Sequence, residues 1–189
     1  IRSIMRQDPD IILVGEIRDK DTAEMAFRAA MTGHQVFTTL HTNSALGVFP
    51  RLSDIGIQPG ILSGNIIGVI AQRLVRKLCP HCKEAYAPDA DEARILGLEP
   101  EAAPPIYRAT GCPACGYKGY RGRLALIELL RLDPELDELV ANHAPLHEIR
   151  RAAFEHGYRP LAEDGVQRVK DGVTSLAEVA RVVDLTGRI

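Results

Sequence analysis

The hydrophobic positions change period several times along the chain, and each change predicts an element. Ile11 to Val14 is an unbroken apolar run, the pattern of a parallel strand buried on both faces. In Asp21 to Met31, Ala23, Ala26, Phe27 and Ala30 recur at three- and four-residue spacing, which predicts a helix ended by Gly33. Val36 to Leu40 reads as a second strand. Strand, helix and strand in this order predict two neighbouring parallel strands joined by a right-handed crossover. Their C-terminal ends should lie side by side.

Ser44 can cap a helix carrying Leu46, Val48, Phe49 and Leu52, ending near Gly56. Pro59 is placed to start the next one. There Ile61, Leu62, Ile66, Ile67, Val69 and Ile70 predict a strongly apolar core helix. "AQRLVRKLC" alternates Leu74, Arg76 and Leu78, a short half-buried strand with Arg73, Arg76 and Lys77 on a solvated face. Between Lys83 and Thr110 the pattern gives a short amphipathic helix near Glu92 to Leu98 and a Pro- and Ala-rich linker. A strand is expected from Arg123 to Leu130.

From Asp133 onward the period is helical. Asp133-Pro134 starts a helix with Leu136, Leu139 and Val140. Pro145 to His156 should bury Leu146, Ile149, Ala153 and Phe154, and Leu161 to Asp171 stops at Gly172. Thr174 or Ser175 caps the last helix. His143, His147 and His156 read as surface residues without assigned chemistry. The opening "IRSIMRQ" reads as the tail of a helix whose beginning is missing, so the chain is expected to start inside a domain.

At 189 residues, 46% of them hydrophobic, the chain can bury one core and a small appendage. A formal net charge of −2 gives no electrostatic basis for binding a polyanion, so no nucleic-acid partner is expected. No apolar run approaches the roughly 20 residues that span a bilayer, and no signal peptide heads the sequence. A reducing, cytoplasmic setting is the expectation.

That setting bears on the four cysteines. Cys79-Pro80-His81-Cys82 and Cys112-Pro113-Ala114-Cys115 are two C-x2-C pairs with 29 residues between them. Each pair forms a tight turn that aims two sulfurs at one point, and tetrahedral Zn²⁺ takes four thiolates at about 2.3 Å. Disulfides are the alternative, but they belong to oxidising compartments. A structural zinc is therefore expected, closed to catalysis because all four ligands come from the protein.

In open α/β sheets ligands bind at the C-terminal strand ends. Glu16, after the first strand, has the Walker B arrangement, in which a carboxylate positions Mg²⁺ or polarises the attacking water. Gly15 stands where an Asp usually precedes that Glu. His41, delivered by the second strand, should face the same crevice, whereas His34 lies at the strand's other end, roughly 20 Å away at about 3.3 Å per residue. The plain alternative is that Glu16 and Arg18 are ordinary loop charges. No G-x4-G-K-[ST] phosphate loop occurs; Gly111 and Gly116 have the spacing, but Tyr117 precedes Lys118 and no Ser or Thr follows.

"RQDPDIILVGEIRD", "TGHQVFTTLHTN", "AQRLVRKLCPHCK", "GCPACGYKGYRGR" and "DGVTSLAEVARV", in this order across nearly the whole chain, resemble the ATPases of type II secretion and type IV pilus assembly. The resemblance implies a partial RecA-like P-loop ATPase domain (1–78, with a Walker B and a His box), an inserted four-cysteine zinc subdomain (79–122), and a strand with a C-terminal helical bundle (123–189). It places Glu16 in the Walker B box, His34 and His41 in the His box, and Cys79, Cys82, Cys112 and Cys115 in the zinc motif. Arg18 and Arg51 match arginines near the nucleotide or the subunit boundary. A hexamer hydrolysing ATP with Mg²⁺ is implied, cytoplasmic and reaching the inner membrane only through a platform protein, and driving pseudopilus assembly. Type IV pilus assembly and a non-enzymatic zinc-binding interaction module are the alternatives. The family's Walker A loop is absent from this sequence, so the chain alone is expected neither to hold ATP tightly nor to turn it over.

Overall fold

In the computed structural model, β1 (Ile11–Val14) and β2 (Gln35–Thr38) form a parallel pair in the register Ile11↔Gln35 to Val14↔Thr38. Residues 7 and 9–188 are described; apart from Gln7, the expected helix tail at "IRSIMRQ" lies outside them. The crossover is α1 (Lys20–Met31). Asp19 caps it, its carboxylate accepting from the Thr22 amide at 2.8 Å. Ala23, Ala26, Phe27 and Ala29 form its buried stripe. Gly33 takes φ +97° just past the helix end, a conformation that carries no penalty without a Cβ.

β1 is not buried on both faces as its apolar run suggests. Ile12 and Val14 are in the core, while Ile11 and Leu13 are 62% and 76% exposed. Its sheet has two strands and its helix, α1, packs on one face only. An apolar run reports that a strand can be covered twice, and here the chain supplies one cover.

Residues 61–70 also depart from expectation. Only α3 (Pro59–Leu62) forms, a single turn after α2 (Val48–Asp54). Gly64 then turns the chain at φ +70°, and Gly68 opens β3 (Gly68–Leu78), an 11-residue strand that absorbs Val69 and Ile70. The β-branched run favours extended backbone once a glycine breaks the helix. β3 pairs with β6 (Tyr120–Arg131), again longer than its sequence signal.

The molecule divides into two compact units, and both long strands pass from one into the other. The first comprises the chain up to Ala71 together with Leu129–Tyr158. Its core joins Ile12, Phe27, Phe49, Leu52 and Leu62 to Leu136, Val140 and Ile149. The last three come from α5 (Pro134–Ala141) and α6 (Leu146–Glu155). Within α6, Ile149, Ala152 and Ala153 are buried, but Leu146 and Phe154, expected inside, are 38% and 41% exposed.

The second unit comprises Gln72–Glu128 and the chain from Arg159 on. It holds the hairpin-like pair β4 (Lys83–Tyr86) and β5 (Ile106–Ala109), antiparallel and not foreseen from the sequence. α4 (Ala90–Leu96) starts at a capping box of Asp89 and Glu92. α7 (Leu161–Lys170) and α8 (Leu176–Ala180) complete it. Gly165 in mid-α7 is required by close approach: a Cβ there would stand 2.6 Å from Val179 Cγ1. The four C-terminal helices are thus shared between two cores, α5 and α6 in one, α7 and α8 in the other.

Candidate functional site

The ladder of β1 and β2 ends at Val14 and Thr38, and the two chains leave it on the same side. Glu16 and His41 lie just beyond those ends. His41 Nε2 stands 2.6 Å from Glu16 Oε1, an ion-pair distance without hydrogen-bond alignment, so Oε1 is buried yet lacks an aligned donor. Arg18 Nε donates to the other carboxylate oxygen, Oε2, at 2.6 Å. The Glu16 side chain is 21% exposed, whereas those of His41 and Arg18 are 85% and 76% exposed. One carboxylate is therefore held between a solvent-facing imidazole and a solvent-facing guanidinium. A buried acceptor with a spare lone pair is chemically suited to take a proton or a hydrogen bond from a small ligand such as water.

His34 is at the opposite end of β2. Its Nδ1 lies 3.0 Å from the Ala29 carbonyl and 3.1 Å from Thr32 Oγ1, at the C-terminus of α1. The structure does not bring it to Glu16. Arg51 is exposed on α2, and no hydrogen bond or ion pair among the described residues joins it to Glu16 or His41.

The second constellation is in the other unit. Cys79, Cys82, Cys112 and Cys115 present sulfurs that all lie within 4.8 Å of one another. Cys79 to Cys112 is 4.0 Å, and Cys82 to Cys115 and Cys112 to Cys115 are each 3.9 Å. Four ligands at about 2.3 Å from one tetrahedral zinc stand about 3.8 Å apart. The spacing fits a metal and is about twice a disulfide bond. Local backbone makes this possible: Cys79 N–H donates to the Gly119 carbonyl, and the Gly119 amide donates to Cys115 Sγ at 3.2 Å. A Cβ on Gly111, which takes φ +107°, would meet the Tyr117 carbonyl at 2.7 Å, so that knuckle requires glycine.

Burial pushes the Cys115 thiol up, but the amides of Cys112 and Gly119 aimed at its sulfur outweigh it and hold the group at about 6. Burial and the Cys82 sulfur push Cys112 up. The cluster thus already favours one thiolate, the form a cation needs.

Polar groups that the sequence pattern did not single out brace both units. Glu178, 1% exposed, accepts from Arg76 at 2.6 Å and Arg181 at 2.8 Å. Burial alone pushes its carboxyl up; the Arg181 and Arg76 guanidiniums outweigh that and hold it at about 2. Arg76, expected on a solvated face, is therefore anchored to a buried acid. His156, expected to be a plain surface residue, sits 2.5 Å from Asp133 and 3.2 Å from Glu135. Long-range pairs of this kind leave no periodic trace.

Comparison with known proteins gives consistent likenesses. The profile described as type II/IV secretion system protein matches residues 1–181. Over 182 residues the chain is 49% identical to the type II secretion system protein E of Pseudomonas aeruginosa, covering 96% of this chain and 36% of that protein. It is 47% identical over 186 residues to the type II secretion system ATPase E of Vibrio cholerae, with the same coverage. Identity to the type IV pilus assembly ATPase PilB of Thermus thermophilus is 45% over 188 residues, covering 97% of this chain and 21% of that one. Among solved structures, the pilus retraction motor PilT with bound ADP superposes with a TM-score of 0.68 at 25% identity, over 100% of this chain and 43% of that chain. The chain thus spans about a third of the length of the type II secretion relatives it matches.

Proposed function

This chain belongs to the type II/IV secretion system protein family, and we propose that it is the C-terminal part of a hexameric ATPase that powers type II secretion by driving pseudopilus assembly. The observation that carries the chemistry is the convergence of Glu16 and His41 at the neighbouring ends of two parallel strands. Glu16 is the carboxylate that orients the attacking water: Arg18 occupies Oε2 and restrains rotation, leaving the buried Oε1 to accept the water's hydrogen bond. His41, exposed to solvent, is the group at the open side of that pocket. Arg18 and Arg51 supply cations near the nucleotide or a subunit boundary. His34 acts at a distance, by fixing the end of α1. ATP and Mg²⁺ supply the phosphoryl group and its counter-charge when bound, and their phosphate-holding loop belongs to a part of the protein outside this sequence.

Exposed Ile11, Leu13 and Phe37 support placing β1 and β2 in a larger, RecA-like sheet, because a soluble two-stranded pair does not ordinarily leave such side chains in water. The tetracysteine cluster is the seat of a structural zinc held by Cys79, Cys82, Cys112 and Cys115. The partners are further copies of the same chain and an inner-membrane platform protein; no helix among the described residues is long and apolar enough to cross a membrane. A type IV pilus assembly ATPase is the second reading, favoured by 48% identity to TfpB of Acinetobacter baylyi over 98% of this chain.

Glu16→Gln in the full-length protein tests the site. ATP binding should be retained while hydrolysis falls at least about 100-fold, a barrier change of about 2.7 kcal/mol. Turnover within about threefold of wild type would remove Glu16 from the role assigned to it.

A further inference from the structure

Glu16 is the first polar residue after β1 and follows Gly15, the least restrained backbone position of the segment. A carboxylate on such a joint needs something to fix it. Past the last ladder pair, Val14↔Thr38, one residue makes both connections across the strand ends. Thr39 Oγ1 donates to the Gly15 carbonyl at 2.6 Å. The Thr39 carbonyl accepts from the Ile17 amide at 3.0 Å. The residues before and after Glu16 are therefore both tied to Thr39, which lies two positions before His41 on the same strand exit. A side-chain hydroxyl serves the Gly15 carbonyl, and the backbone beyond Thr39 is released from the ladder to carry His41 over Glu16.

We propose, on the footing of the ATPase reading above, that Thr39 is a positioning residue: its hydroxyl fixes the Gly15–Ile17 turn so that the Glu16 carboxylate faces His41 and the attacking water. Thr39 touches neither reacting atom. It acts through Glu16. A misplacement of a catalytic group by about 1 Å is enough to cost up to 100-fold in rate, and one lost hydroxyl bond at a glycine joint allows a displacement of that order. Serine at this position keeps the bond; valine keeps the shape and loses it. Thr39 is exposed, so neither change opens the core.

The experiment is steady-state ATP hydrolysis by the full-length protein carrying Thr39→Val, Thr39→Ser, Glu16→Gln, and Thr39→Val with Glu16→Gln. Thr39→Val should lower kcat about 10-fold with KM within about twofold, and Thr39→Ser should recover most of the rate. In the Glu16→Gln background Thr39→Val should have no further effect, because it acts through the missing carboxylate. Thermal midpoints report whether the valine variant remains folded. If Glu16→Gln lowers turnover about 100-fold but Thr39→Val keeps kcat within twofold, or if Thr39→Ser is as slow as valine, or if the two changes multiply, the positioning role is overturned while the ATPase reading stands. If Glu16→Gln itself leaves turnover intact, the ATPase reading is what fails, and the role of Thr39 goes with it.

Discussion

The two units treat their polar groups in opposite ways. In the cysteine unit every buried charge closes on partners within the chain: Glu178 is braced by Arg76 and Arg181, and four sulfurs stand at metal-ligand spacing. In the strand-pair unit Glu16 has a buried oxygen without an aligned donor, His41 is 85% exposed, and the outer face of β1 presents Ile11 and Leu13 to water. A module whose job is structural satisfies its polar atoms itself. A site built to meet a ligand or a further part of the protein leaves some of them open.

Metal removal should give the largest effect and the sharpest contrast. Chelation, or Cys82→Ser with Cys115→Ser, should lower zinc content from about one equivalent to near none and unfold the cysteine unit, since structural zinc contributes on the order of 10 kcal/mol. Helix signal from α1 and α5 should persist. Simultaneous loss of both units would erase the distinction.

Next comes Glu178. Glu178→Ala should destabilise the cysteine unit by about 3 kcal/mol, because the Arg76 amide and two half-exposed guanidiniums lose the buried carboxylate they share. The acid dependence has a definite sign. The carboxyl is held at about 2 against an ordinary 4.5, so its contribution is complete above about pH 4.5 and disappears as pH falls toward 2. Linkage puts that contribution at roughly 3 kcal/mol. Chemical denaturation at pH 6 and pH 3 should reveal the loss, and Glu178→Ala should flatten it.

Neighbouring residues on β1 test the open face. Ile12→Ala should cost about 2–4 kcal/mol in this chain, and Leu13→Ala less than about 0.5. In the full-length protein the Leu13 cost should rise above about 1 kcal/mol if that face is covered there; equal values in both settings would mean that it stays in water. A modest effect is expected at α5, where Asp133 accepts from the Leu136 amide and pairs with His156. Asp133→Ala should cost about 1 kcal/mol.

The parallel pair and its crossover were legible because Ile11–Val14 is apolar and α1 repeats at helical spacing, and the glycine and proline stops marked α5 to α7 within a residue or two. The region after Pro59 misled for a physical reason. Ile66, Ile67, Val69 and Ile70 satisfy either a buried helix or a strand, and only the Gly64 turn and pairing with β6 select the strand. β4 and β5 are four residues each and carry almost no periodic signal of their own.

Chemistry followed the same division. Spacing within the chain alone determined the two C-x2-C turns, and a carboxylate after an apolar strand singled out Glu16, because those signals are local and survive without a fold. That Glu16 shares a strand edge with His41 and not His34 followed from the strand–helix–strand order, but their contact distance, whether Thr39 ties Gly15 to Ile17, and whether Glu178 is buried between Arg76 and Arg181 were decided by tertiary structure. Each depends on register or on contacts between residues up to 102 positions apart, and such distances are set by packing, which no local pattern encodes.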